Sequence, residues 1–175
     1  MNLRDVCNEY YDFTPTTIVY PDANTGNGSE VMYLTLGLMS EVGEWLKTEP
    51  QSDASTKEAG DCFWYGSNLA HTMEVDDFFS LLTGSIGAVR NFAHSQDFST
   101  LMFRLLVTIA DSAKKYYRDG TIDKEIFLGN VGAVLGLVAS TLATEDDLIN
   151  ALLDNREKLE SRMERNVIQG SGDER

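Results

Sequence analysis

LTLGLMSEVGEWLK, residues 34–47, and KEAGDCFWY, residues 57–65, are the stretches on which the fold turns. Around the first, Val31, Leu34, Leu38, Val42 and Trp45 recur at steps of three and four, the spacing of one helix face. The stripe predicts a helix over about 30–47, preceded by Ser29. EPQSDAST interrupts it, and Ser55 or Thr56 is positioned to cap a second helix over about 56–72. Glu41 and Glu44 lie three apart on the first helix, and Glu58 and Asp61 three apart on the second. Residues so spaced share a face, so two helices packed together would bring four carboxylates into one place. Four such groups cannot all stay ionised without a compensating cation. An all-oxygen donor set suits Mg²⁺, with Mn²⁺ as a substitute. A single E-x-x-E reads most simply as a solvated helix face. Two pairs flanked by Gly43, Gly60, Trp45, Trp64 and Tyr65 say more, because aromatic rings beside acids suit a nucleobase pocket as well as a core.

Working outward, residues 3–13 read as a first helix and TPTTIVYPDANTGNGSE as a loop, in which VYPDANT is at most a short extended arm. No proline follows Pro50. Further helices are expected over about 75–94, 98–118, 122–142 and 145–165, with a polar GSGDER tail and no period-two strand pattern. The fold class is all-α, a helical bundle. Helix 122–142 carries IFLGNVGAVLGLVASTLA, apolar nearly all round, and belongs in a core or a subunit interface.

The order of elements recurs. HTMEVDDFFSLL (71–82) resembles TLATEDDLINAL (141–152) at an offset of 70 residues. The same shift lays 34–47 on the run starting near 105 and the helix at 56–72 on that at 126–142. This predicts two tandem pseudo-repeats, about 31–100 and 101–170, within one domain. In the second, Asp111, Lys114, Leu128 and Val131 stand opposite Glu41, Glu44, Glu58 and Asp61, so only the first can hold a metal.

Composition sets limits. The net charge of −14 is unsuited to polymeric nucleic acid, which needs clustered cations; a phosphate ligand is still served if a metal supplies positive charge locally. There is no run of 18 apolar residues and no basic-then-apolar leader, so neither a membrane span nor secretion is expected, and the protein reads as cytoplasmic. Cys7 and Cys62 fit no metal spacing and read as reduced thiols, while His71 and His94 read as structural or surface residues.

YLTLGLMSEVGEWLK followed by KEAGDCFWY resembles the E-x-x-E…E-x-x-D signature of the MazG-like, all-α nucleoside triphosphate pyrophosphohydrolases. NREKLESRMERNVIQGSGDER resembles the ending, N-x-x-K-L-x-x-R…G-S-G-D-x-R, of small phage-encoded and bacterial members, and NEYYDFTPTTIVYP resembles their lead-in. The likeness covers about residues 8–73 and 144–175; some 70 residues, about 74–143, stand where the small proteins have a short turn. It implies Mg²⁺-dependent hydrolysis of a (deoxy)nucleoside triphosphate to the monophosphate and pyrophosphate, in a homodimer, in the host cytoplasm if the chain is phage-encoded. Glu41, Glu44, Glu58 and Asp61 match the metal and catalytic positions; one of the four would orient or deprotonate the attacking water, a choice the sequence leaves open and for which Glu41 is our candidate. Lys57, Trp64, Asn155, Lys158, Arg162 and Arg175 match or flank positions that would contact the substrate. The N-x-x-K-L-x-x-R face lies only in the second half; at the same offset the first has Ser85, Ala88 and Phe92. One chain would then combine carboxylates from one half with a phosphate-contacting face from the other.

Two other readings stay open. The same fold could be a nucleotide- or alarmone-binding regulatory module without significant turnover, although a pure binder need not keep all four acids. Or the chain is a helical scaffold whose acidic pairs are solvated and whose Lys158 and Arg162 pair with Glu157, Glu160 and Glu164.

Overall fold

The structure, a computed structural model, describes residues 1–89 and 97–167, and all regular structure among them is helical. Helix α1 spans Leu3–Phe13 and runs into a 3₁₀ turn at Thr14–Thr17. Then come α2 (Gly28–Trp45), α3 (Asp53–Thr72), α4 (Phe78–Gly84), the short α5 (Ile86–Val89), α6 (Phe98–Asp119), α7 (Lys124–Ser140) and α8 (Glu145–Glu164). The starts are set by side chains. Asn2, Asn27, Ser52, Asp77 and Asp123 each accept a hydrogen bond from the backbone N–H three residues on, satisfying one of the donors a helix start leaves open. Thr144 and Asp147 form a reciprocal capping box on α8. Gly120, at φ 70°, closes α6 in the left-handed conformation that glycine adopts without penalty.

These caps move several expected boundaries. Asn27 rather than Ser29 precedes α2, and Ser52 rather than Ser55 or Thr56 caps α3, so both helices begin earlier than the apolar stripes alone suggest. VYPDANT is no arm. The buried carboxylate of Glu30 accepts from Tyr20 Oη (3.1 Å), Asn24 N (2.7 Å) and Gly26 N (2.6 Å), and Asp22, Asn24 and Gly26 all have positive φ, which winds the segment into turns. The helix expected over 75–94 breaks after Gly84, a poor helix former, and resumes at Ile86–Val89; residues 90–94, His94 among them, lie outside the described residues. The two Asp-Asp pairs play different parts: Asp77 is an N-cap, whereas Asp147 is the third residue of a helix capped by Thr144.

Shifted by 70 residues, α2 begins on the first residue of α6, α3 overlies α7, and α4 falls within α8. The packing is reciprocal. α2 packs on α3 and α6 on α7; α8 lies against α3 and α4 against α7; α2 meets α6 and α3 meets α7. Each half's third helix thus packs on the other half's second. α1 bridges α8 and α4. The nearly uncharged α7 lies in the core, with Phe127, Val131, Val134, Leu135, Leu137 and Val138 fully buried. No single helix among the described residues is long and apolar enough to cross a membrane.

Leu135 packs over Gly66 of α3, where the two halves meet. Leu135→Ala is therefore expected to lower unfolding free energy by about 2–5 kcal/mol, read by urea denaturation; a loss below about 1 kcal/mol would show that the α3–α7 contact is not core.

Candidate functional site

The α2–α3 pairing brings the acidic faces together. Glu41, Glu44 and Glu58 each place a carboxylate oxygen within 4.8 Å of one another. Glu41 and Glu58 are half-buried and Glu44 is exposed. Burial raises the pKa of Glu41 to about 7, helped by the negative charges of Asp61, Glu44 and Glu58 and opposed by Lys158. Burial among other acids favours the protonated form, so Glu41 holds its proton up to near neutrality.

Asp61 stands apart from that trio. Its carboxylate is engaged by α8: Asn155 Nδ2 donates to Oδ1 at 2.7 Å, and Lys158 Nζ donates to Oδ1 and Oδ2 at 2.5 and 2.6 Å. Both ends of this ion pair are largely shielded, with side-chain exposures of 25% for Lys158 and 24% for Asp61, so water screens it less than a surface pair. The contact depends on Gly60. A Cβ there would lie 2.8 Å from the Ala151 carbonyl oxygen and 2.8 Å from Asn155 Cβ, so only glycine lets α8 come this close to α3.

Behind Asn155 is a residue the sequence motifs do not single out. Tyr10 of α1 is buried, and its hydroxyl lies 2.7 Å from Asn155 Oδ1 and 3.3 Å from the Gly60 carbonyl oxygen. A phenol has one proton to donate, and the shorter contact takes it. Asn155 accepts on its oxygen and so turns its amide nitrogen toward Asp61. The order Tyr10–Asn155–Asp61 runs through α1, α8 and α3. The one available signal was the phase of α1: Tyr10 continues the buried stripe of Leu3, Val6 and Cys7, and a buried tyrosine hydroxyl usually has a partner.

The remaining expected residues divide. Lys57, Glu58, Asp61, Asn155 and Lys158 line one cavity of about 420 Å³, together with Asp154, Glu157 and Ser161. Trp64 does not line it; its indole N–H donates to Thr17 Oγ1 at 2.7 Å, which ties α3 to the turn after α1. Arg162 is buried one turn beyond Lys158 and is likewise absent from the lining. Arg175 lies outside the described residues. Pairing along α8 does not claim Lys158: Glu160 is taken by Arg156 instead, at 2.9 Å. His71 is structural, its ring stacked on Tyr11 at 3.6 Å and its Nε2 at 2.7 Å from the Tyr11 carbonyl oxygen. Cys7 and Cys62 are both buried, and burial raises both thiol pKa values, so neither is poised as a nucleophile. In the second half, Asp111 pairs with Lys114 (3.0 Å) and Lys115 (2.7 Å) on an exposed face, and Val131 is buried in the core.

The chain matches no protein-family model, no curated protein and no solved structure.

Three clustered carboxylates offer hard oxygen ligands, and the raised pKa of Glu41 records charge that a cation would relieve. The donor set fits Mg²⁺ or Mn²⁺. Asp61, bridged by an ammonium, already has its counter-charge.

The raised pKa has a sign. Between pH 4.5 and 7 the folded protein keeps a proton on Glu41 that the unfolded chain has lost, so stability falls as pH rises through that window. Without divalent ions, the thermal midpoint of the wild type is expected to drop across this window and that of Glu41→Gln to stay flatter. Parallel pH profiles for the two proteins would refute the assignment. Tyr10→Phe, which leaves Asn155 Oδ1 without its donor, should cost about 1–3 kcal/mol in a denaturant titration.

Proposed function

We propose that this protein is a Mg²⁺-dependent nucleoside triphosphate pyrophosphohydrolase of the MazG-like kind. The observation that carries the reading is the meeting of two motifs. Glu58 and Asp61 of α3 line one cavity with the Asn155–Lys158 face of α8, although 94 residues separate Asp61 from Asn155, and Glu58 also belongs to the carboxylate cluster with Glu41 and Glu44 of α2. Acids able to hold a metal and cations able to meet a phosphate chain stand side by side.

Bound divalent metal would neutralise charge on the triphosphate and lower the pKa of a coordinated water. The chain's residues supply the rest. Glu41, Glu44 and Glu58 would hold the metal, with Asp61 completing the donor set. Lys57 and Lys158 face the cavity and offset phosphate charge. Glu41 would be the general base, half-buried within the acidic cluster where it could orient and deprotonate the attacking water. Water would attack the α-phosphorus as the bond from that phosphorus to the α–β bridging oxygen breaks. The water proton passes to Glu41, and pyrophosphate departs with the bridging oxygen.

We read the two halves as copies that have diverged, the first keeping the acids and the second the phosphate-contacting face. The 70-residue shift of α2 onto α6 and the reciprocal seating of α4 and α8 support this.

Pyrophosphate release from a panel of ribo- and deoxynucleoside triphosphates, with and without Mg²⁺, is the direct test. Mg²⁺-dependent release with at least one substrate is expected. Glu44→Gln and Asp61→Asn should each slow it by about two orders of magnitude or more. Full activity in either variant would remove the site assignment, and no release from any triphosphate would remove the enzymatic reading.

A further inference from the structure

Asp61 is doubly held, and its two holders differ in kind. Asn155 is a short, buried amide whose orientation is locked from behind by Tyr10. Lys158 reaches Asp61 on a flexible four-carbon stem from the wall of the open cavity. Releasing Asn155 would disturb the contact of α8 with α3 at Gly60; releasing Lys158 needs only side-chain rotation. While Lys158 donates to both oxygens of Asp61, it occupies the lone pairs a metal ion would use. Both are cations seeking the same carboxylate.

We propose that Lys158 is a resident, displaceable counter-cation that sets the metal affinity of the site. In the ion-free protein it compensates Asp61 and the neighbouring glutamates. A divalent ion must displace it to gain Asp61 as a ligand, and the ammonium then turns into the cavity, where an anionic ligand can use its charge. Metal binding and anion binding are thereby linked through one side chain: Lys158 opposes the first and favours the second. A purely structural lysine would weaken both when removed. The inference rests on the metal site proposed above and adds the direction in which one residue tunes it.

The test is calorimetric titration of the full chain with Mg²⁺ alone, then with inorganic pyrophosphate in the presence of Mg²⁺. Wild type is compared with Lys158→Met and Lys158→Arg. Lys158→Met is expected to bind Mg²⁺ about tenfold tighter, the scale of removing one charge a few ångströms away, and to bind pyrophosphate more weakly. Its ion-free thermal midpoint should fall, and Mg²⁺ should raise that midpoint more than it does for the wild type. Lys158→Arg should restore wild-type Mg²⁺ affinity. Folding of Lys158→Met only with Mg²⁺ present would also support the inference. Lys158→Gln, which keeps a donor for Asp61 without the charge, replaces Lys158→Met if the latter does not fold under either condition. Unchanged or weaker Mg²⁺ binding in the neutral variant would overturn the inference and leave the metal site standing. Absence of Mg²⁺ binding in both wild type and neutral variant would remove the metal site itself, and the inference with it.

Discussion

The site depends on how closely α8 approaches α3 at Gly60. That crossing puts Asn155 and Lys158 on Asp61, and no residue with a side chain at position 60 would allow it without moving a helix. A glycine inside a helix costs about 1 kcal/mol of helical stability relative to alanine. The loss is accepted where backbones must come close, and here the approach gives a hydrogen-bonded chain from Tyr10 to Asp61. α1 is drawn into the site by the same contact, since the Tyr10 hydroxyl lies beside both Asn155 and the Gly60 carbonyl. A surface-looking acidic motif thus has a rigid floor built from three helices.

Charge explains why the four acids do not behave alike. Asp61 faces α8 and has a lysine for company. Glu41 is half-buried among the other acids, and burial, with the charges of Asp61, Glu44 and Glu58, raises its pKa to about 7. Glu44 opens to solvent, where water screens its charge. One of the four is neutralised by a lysine, one tends to keep a proton and one is hydrated. The corresponding face of α6 shows the alternative outcome. Asp111 meets Lys114 and Lys115 on its own helix, in solvent, and nothing there concentrates negative charge.

Much of this was legible in the sequence. The apolar spacing of Val31, Leu34, Leu38, Val42 and Trp45 gave α2 its inward face, and the three-residue spacing of each acidic pair gave the acids a common side. The featureless apolarity of α7 marked it for the core. Less legible were helix starts, because Asn27 and Ser52 compete with equally plausible caps two to four residues away, and only the backbone path decides. The expected 75–94 helix failed for a related reason: apolar periodicity runs through Gly84 without registering the break. Asp61 could be assigned to the acidic group by spacing alone, but not its partner, because a lysine 97 residues away is found only by folding. Nor was the partner of Trp64 legible, whose indole N–H donates to Thr17, 47 residues away.

The reciprocal packing of the two halves raises the question of why only one crossing carries polar chemistry. At the other crossing α4 lies on α7, and Ser85, the residue that matches Asn155 by the 70-residue shift, sits against Gly136. Helix α4 ends at Gly84, just where the matching part of α8 begins to display Asn155 and, one turn later, Lys158. α8 spans 20 residues against 7 for α4, having started a turn earlier under its capping box and continued through Glu164. Helix length therefore decides the asymmetry. A third helix that stops after two turns can cover a core, whereas one that continues can carry a lysine to a carboxylate on the opposite half. Opposite the shorter helix, where the shift places Glu58 and Asp61, the sequence has Leu128 and Val131, side chains that favour burial over charge.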